Sequence, residues 1–78
     1  MTTTTLDKLV HSANQAAQYF ESQPAGDPAA PTRDHLRAYW DPRMRRLIYA
    51  HLDAGGAGLR PSAAEAIRRM REGDTAAA

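Results

Sequence analysis

The sequence contains no cysteine. That removes disulfide staples, thiolate–zinc sites and iron–sulfur ligation from the chain itself, and it fits a cytoplasmic protein. No apolar run approaches the roughly 20 residues that span a bilayer. Met1, four threonines and Leu6-Asp7-Lys8 offer neither the basic start nor the apolar stretch of a secretory signal. The apolar–polar alternation of a strand is also missing, as are internal repeats and a heptad seam, so the expected class is all-α. Large apolar side chains are scarce: hydrophobic residues make up 42% of the chain, but sixteen of them are alanine. With 78 residues, one small domain over 1–78 is expected, ordered from about 5 to 72. Its core is thin, and a domain of this size without staples leans on a partner.

What is present reads as four short helices. Leu6, Leu9, Val10, Ala13, Ala17 and Phe20 recur at spacings of three and four, one stripe of a helix over about 5–22. Thr4 and Asp7 stand in capping-box spacing, with aspartate in the place usually held by glutamate. The opposite face, from Asp7 and Lys8 through His11, Gln15 and Gln18 to Ser22, is polar but poor in charge. Asn14, at the edge of the stripe, is placed for an interhelical hydrogen bond or a partner contact. Gln23 to Pro31 contains three prolines and a glycine and reads as a loop. A second helix over about 31–40 follows, capped by Asp27 or Thr32, with Leu36, Tyr39 and Trp40 on its apolar face.

The junction Trp40-Asp41-Pro42 organises the chain. Proline disfavours helix in the residue before it and lacks an amide hydrogen, so one helix stops near Trp40 and another opens at Pro42 with Asp41 as its cap. Met44, Leu47, Ile48, His51 and Leu52 give the stripe of this third helix, about 42–54, which Gly55-Gly56 stops in a left-handed conformation. Leu59 is an expected peg into the core. Ser62 and Glu65 are in capping-box spacing before a fourth helix, about 61–72, with the narrow stripe Ala63, Ile67 and Met70. Gly73 is expected to end it, leaving a mobile tail from Asp74 to Ala78.

Charge is distributed unevenly although the net is only +1. Residues 1–30 carry −2, residues 31–46 carry five arginines against two aspartates, and the remainder balances. The basic patch is therefore arginine-built and local. It could neutralise phosphates, and two helices at a sharp corner superficially resemble a helix-turn-helix, so a small nucleic-acid-binding protein using Arg33 to Arg46 is the alternative reading. The third helix, however, offers no Asn, Gln or Lys at its exposed start for reading bases. Arginine forks also pair with carboxylates across protein interfaces, where Arg and Trp are enriched among anchors.

Catalytic constellations are not apparent. His11, His35 and His51 lack ligand-pair spacing, the carboxylates are scattered, and no serine stands in a nucleophile motif. His51 lies on an apolar stripe and reads as a core-edge imidazole bonded to a backbone carbonyl; His11 and His35 read as surface groups. Gly55-Gly56-Ala57-Gly58 follows a helix, whereas phosphate loops follow a strand, so it reads as a helix stop.

Three blocks resemble one known family. Val10-His11-Ser12-Ala13-Asn14-Gln15 with Tyr19-Phe20, then His35-Leu36-Arg37 with Tyr39 to Arg45, then Ala50-His51-Leu52-Asp53-Ala54-Gly55-Gly56 with Gly58-Leu59 and Pro61, are similar to the delta subunit of cytoplasmic, NAD-dependent, molybdenum-containing formate dehydrogenases. Departures are Ser12, where that family tends to carry methionine, and the proline-rich loop. The resemblance implies a non-catalytic accessory subunit that binds no cofactor. The other chains would hold the molybdenum pterin cofactor, iron–sulfur clusters, FMN and NAD, and the molybdenum-containing alpha subunit is the expected partner. With the resemblance added to the charge pattern, Asn14, Gln15, Arg37, Trp40, Arg43 and Arg46 are the candidate partner-binding or support residues, Trp40 serving either the core or the contact.

Overall fold

Capping chemistry written into the sequence sets most of the helix boundaries. The structure, a computed structural model, describes residues 4–24 and 26–76, and its helices run in the order α1 (Thr5–Glu21), α2 (Ala29–Tyr39), α3 (Pro42–Asp53) and α4 (Pro61–Ala76). Among the described residues there is no strand, so the fold is all-α.

At α1, the Thr4 hydroxyl accepts from the Asp7 amide at 3.1 Å while the Asp7 carboxylate accepts from the Thr4 amide at 3.2 Å. This reciprocal box satisfies two donors that the first turn leaves free. Helix α3 begins as its sequence requires: Asp41 Oδ1 accepts from the Met44 amide at 2.9 Å, and Pro42 occupies the first turn. It stops in a Schellman closure, with the Gly56 amide donating to His51 O at 2.9 Å and the Gly55 amide to Leu52 O at 3.1 Å. Gly55 and Gly56 have φ of 118° and 65°, a region that side chains with a Cβ rarely enter.

Two starts differ from the sequence reading. Helix α2 begins at Ala29 rather than 31, with Pro28 at its N-cap and no side-chain bond from that position; Asp27, one residue before, accepts from the Ala29 amide at 3.2 Å through Oδ1. Thr32 is no cap: it is buried in the helix, and its hydroxyl donates to Pro28 O at 2.7 Å. At α4, Ser62 lies inside the helix, so the expected capping box does not form. Glu65 instead accepts from Arg69 Nε at 2.9 Å and pairs with Arg68.

The core is the meeting of α1 (Leu9, Ala13, Ala17), α2 (Leu36), the corner residue Trp40, α3 (Ile48) and α4 (Ala63, Ile67, Met70). Among the described residues, five of the eleven buried apolar side chains, Ala29 and Ala66 included, are alanine, which lets helices approach closely where no large side chain is available. Helices α1 and α4 each pack against the other three, whereas α2 and α3 diverge from their corner without packing on one another. The result is 36 × 35 × 22 Å, about two helix diameters thick. Leu59 is half-buried against the core as expected, but Leu47, placed on the stripe by its spacing, is 42% exposed. Ile48 and Met44 already fill the side of α3 that faces inward.

The fourth helix runs through Gly73 and Asp74 to Ala76, past the stop expected at Gly73. Asp74 supplies the reason. Its carboxylate accepts from the Tyr49 hydroxyl at 2.5 Å and from Arg45 Nη1 at 3.5 Å, and it lies 3.7 Å from Arg37 Nη2. Gly73 permits this approach, since a Cβ there would stand 2.5 Å from Arg37 Nη2. Ala77 and Ala78, the end of the expected mobile tail, lie outside the described residues, as do Met1 to Thr3 and the loop residue Ala25.

Loops are tied to helices in two further places. Asn14 Nδ2 donates to Gly58 O at 2.8 Å, and its Oδ1 accepts from the Arg60 amide at 2.8 Å, so one amide clamps the α3–α4 loop onto α1. Arg60 adds an ion pair to Glu21 at 2.9 Å. Arg69 reaches Asp27 in the α1–α2 loop at 2.8 Å, and that hydrogen bond holds the Asp27 carboxyl below the usual range.

Two predictions follow from these ties. Asn14→Ala removes both clamp bonds and is expected to lower unfolding free energy by about 1–2 kcal/mol in urea denaturation; no change would mean that water replaces both contacts. Burial first, and then the bond to Asp74, push the Tyr49 phenol well above its ordinary value of 10.0. The folded state then binds the phenolic proton more tightly than the unfolded chain does. The stability this group contributes is accordingly fully present below pH 10 and is lost as pH rises beyond it. Tyr49→Phe should flatten that alkaline decline; an unchanged slope would assign it to other groups.

Candidate partner-binding site

Helices α1 and α2 pack as a hairpin, and their ridges leave a groove of about 390 Å³ between them. On α1, Leu9, Ala13 and Ala17 turn into the core, so the neighbouring ridge Ser12, Gln15, Ala16 and Tyr19 forms one wall. On α2, Leu36 and Trp40 point inward and form the floor, while His35 and Tyr39, one turn apart, form the other wall.

The walls are aromatic. Tyr19 and Phe20 meet edge-on at a centroid distance of 5.1 Å, Phe20 and His35 at 6.3 Å, and His35 and Tyr39 at 4.8 Å with a 45° tilt. Tyr39 is 74% exposed and Tyr19 59%. Apart from His35 and the phenols of Tyr19 and Tyr39, no ionisable side chain lines the groove. Large rings held on helices and left in water are what protein interfaces use as anchors, because they bring much apolar area at little entropic cost on binding.

The candidate residues divide. Gln15 is exposed on the groove wall. Trp40 is 6% exposed, packs in the core and also lines the groove. Asn14 has both amide atoms engaged in the loop clamp. Arg37 Nη2 donates to Met70 O at 3.2 Å beside Asp74, which makes this side chain a tie between α2 and α4. Arg43 and Arg46 are exposed on α3, as is Leu47, one turn on from Arg43.

The basic patch is thus smaller on the surface than in the sequence. Arg45 donates from Nε to Trp40 O at 3.0 Å and from Nη2 to Arg37 O at 3.1 Å, and Arg33 pairs with the adjacent Asp34 at 3.0 Å. Among the described residues no ion pair engages Arg43 or Arg46.

Sequence reasoning missed Tyr19, Phe20, His35 and Tyr39 as a group. Tyr39 had been placed on the apolar face of α2 with Leu36 and Trp40. The structure corrects this, since only two of the three fit inward and Tyr39 turns to solvent. The available signal was an aromatic residue at the end of a charge-poor polar face, Tyr19, opposite a second His-x-x-x-Tyr ridge in the next helix. His51 has the structural role read from its position, with Nε2 2.7 Å from Ala57 O. Among the described residues no three His, Asp or Glu side chains converge as a metal site, and no helix is long and apolar enough to cross a membrane.

Comparison with known proteins agrees with the motif blocks. No curated protein and no solved structure matches the chain. A family profile, described as NADH-dependent formate dehydrogenase delta subunit, matches residues 8–67. That span includes α1 from Lys8 onward, α2, α3 and α4 as far as Ile67, and with it both walls of the groove and the Asp41-Pro42 corner. The chain belongs to the NADH-dependent formate dehydrogenase delta subunit family.

Proposed function

We propose that this chain is a non-catalytic accessory subunit that docks on the molybdenum-containing alpha subunit of a cytoplasmic, NAD-dependent formate dehydrogenase, and that docking stabilises the complex or assists its molybdenum-cofactor maturation. Family membership supports the association with other formate dehydrogenase subunits. The observation that carries the docking role is the Tyr19–Phe20–His35–Tyr39 array, in which Tyr19, His35 and Tyr39 are exposed and Phe20 is half-buried, on a face without a paired acid and base. In this reading the molybdenum pterin, the iron–sulfur clusters, FMN and NAD all reside on the other subunits. A chain without cysteine has no thiolate to hold a cluster.

The nucleic-acid reading loses ground on the arginines. Arg33, Arg37 and Arg45 pair with Asp34 and Asp74 inside the chain, which leaves Arg43 and Arg46 as the exposed part of the stretch that would have met phosphates. Affinity built on phosphate neutralisation falls with each contact removed.

Co-expression with the catalytic subunits, followed by size exclusion, tests the proposal. Elution with active enzyme in fixed ratio is the result expected of a structural subunit. Separate elution with a raised molybdenum content of the enzyme would assign the maturation role. Separate elution with no effect on the enzyme would remove both. Tyr39→Ala should weaken association by about 2 kcal/mol, the scale of an aromatic anchor, with unchanged far-ultraviolet circular dichroism because the ring is mostly exposed; undiminished binding would take Tyr39 out of the interface.

A further inference from the structure

We infer that the α1–α2 groove receives about two turns of an acidic, amphipathic helix from the partner subunit, with apolar side chains between the aromatic walls and carboxylates against Arg43 and Arg46. The inference rests on the docking role proposed above and specifies the chemistry of what docks.

Length and backbone chemistry point to a helix. The α1 wall runs from Ser12 to Tyr19, which at about 1.5 Å per residue is roughly 10 Å, two helical turns. Both walls are helices whose backbone groups are already paired within them, and the described residues include no strand edge. An extended peptide laid in the groove would find side chains but no ladder of main-chain partners for its own amides and carbonyls. A helix arrives with those bonds made and needs only pockets for its apolar face.

Charge selects the sign of that helix. The groove lining contains no carboxylate. Of the acids next to lining residues in sequence, Glu21 is paired with Arg60 and Asp34 with Arg33, and Asp41 caps α3 by accepting from the Met44 amide. Arg43 follows Trp40 by three residues, so its Cα lies within about 11 Å of a residue that lines the groove, and Arg46 stands one turn further along α3. Buried beneath a neutral or basic segment, these guanidinium groups would lose water and gain nothing; an acidic segment supplies the carboxylates that bidentate arginine matches. A second copy of this chain is poorly suited, because the exposed face of its α3 presents the same arginines.

The test places a photo-crosslinker in the full chain, Tyr39→benzoylphenylalanine, with Arg68→benzoylphenylalanine on the exposed side of α4 as the comparison. Each is co-expressed with the formate dehydrogenase catalytic subunits, the complex is irradiated, and linked peptides are sequenced. The expected result is a partner peptide linked from position 39 but not from 68, with apolar residues at i, i+3 or i+4, and i+7 and at least two Asp or Glu between them. Reversing those acids to lysine should weaken co-purification about ten-fold or more, and Arg43→Glu with Arg46→Glu should restore it. An intact complex with no link at position 39, or with links to a proline-rich or basic peptide or to another copy of this chain, overturns the inference while the docking role stands. Failure of the unaltered chain to join any complex overturns both.

Discussion

Two extended residues hold the arrangement of the other seventy-odd. Trp40 (φ −102°, ψ 128°) and Asp41 (φ −77°, ψ 170°) are all that separates α2 from α3, and Pro42 prevents the first helix from running on into the second. A junction this short leaves no loop to fold the two helices back side by side, so they diverge. The space between them is closed by α1 and α4, the two elements that each touch all the others. Trp40, at the apex, is enclosed as a consequence. Arg45 completes the corner from the following helix by donating to the carbonyls of Arg37 and Trp40, acceptors that the last turn of α2 leaves without intrahelical partners.

The same arginine pair explains why α4 is long. Arg37 and Arg45 converge on Asp74, and the Tyr49 hydroxyl donates a hydrogen bond to the same carboxylate. Glycine within a helix normally costs about 1 kcal/mol relative to alanine. Here the absent side chain at Gly73 leaves the room in which the Arg37 guanidinium lies. A residue that looks like a terminator is therefore the one that lets the terminal turn be held by charge.

The molecule divides its polar chemistry accordingly. Arg37, Arg45 and Asn14 work internally, fastening α4 and the α3–α4 loop to a core that is rich in alanine and poor in bulk. Rigid fastening frees the opposite resource, the Tyr19 and Tyr39 rings of α1 and α2, to remain in water. For a delta subunit this is an effective division. A preorganised aromatic groove would lose little conformational freedom in the docking proposed for it, and Arg43 and Arg46 remain exposed.

The sequence by itself determined the number of helices, their caps and stops at Thr4, Asp41 and Gly55-Gly56, the corner at Pro42 and the family. Each of these signals acts within about four residues along the chain, through a proline ring, a capping oxygen or a left-handed glycine, so no distant contact is needed to read it. Only the tertiary structure decided that Leu47 and Tyr39 face water while Leu36, Ile48 and Trp40 do not, that Asn14 clamps a loop, and that Asp74 extends α4. Those outcomes turn on the rotation of each helix about its own axis and on contacts 25 to 46 residues apart in sequence. Periodicity names a stripe, but the packing of all four helices together chooses which edge of it is buried.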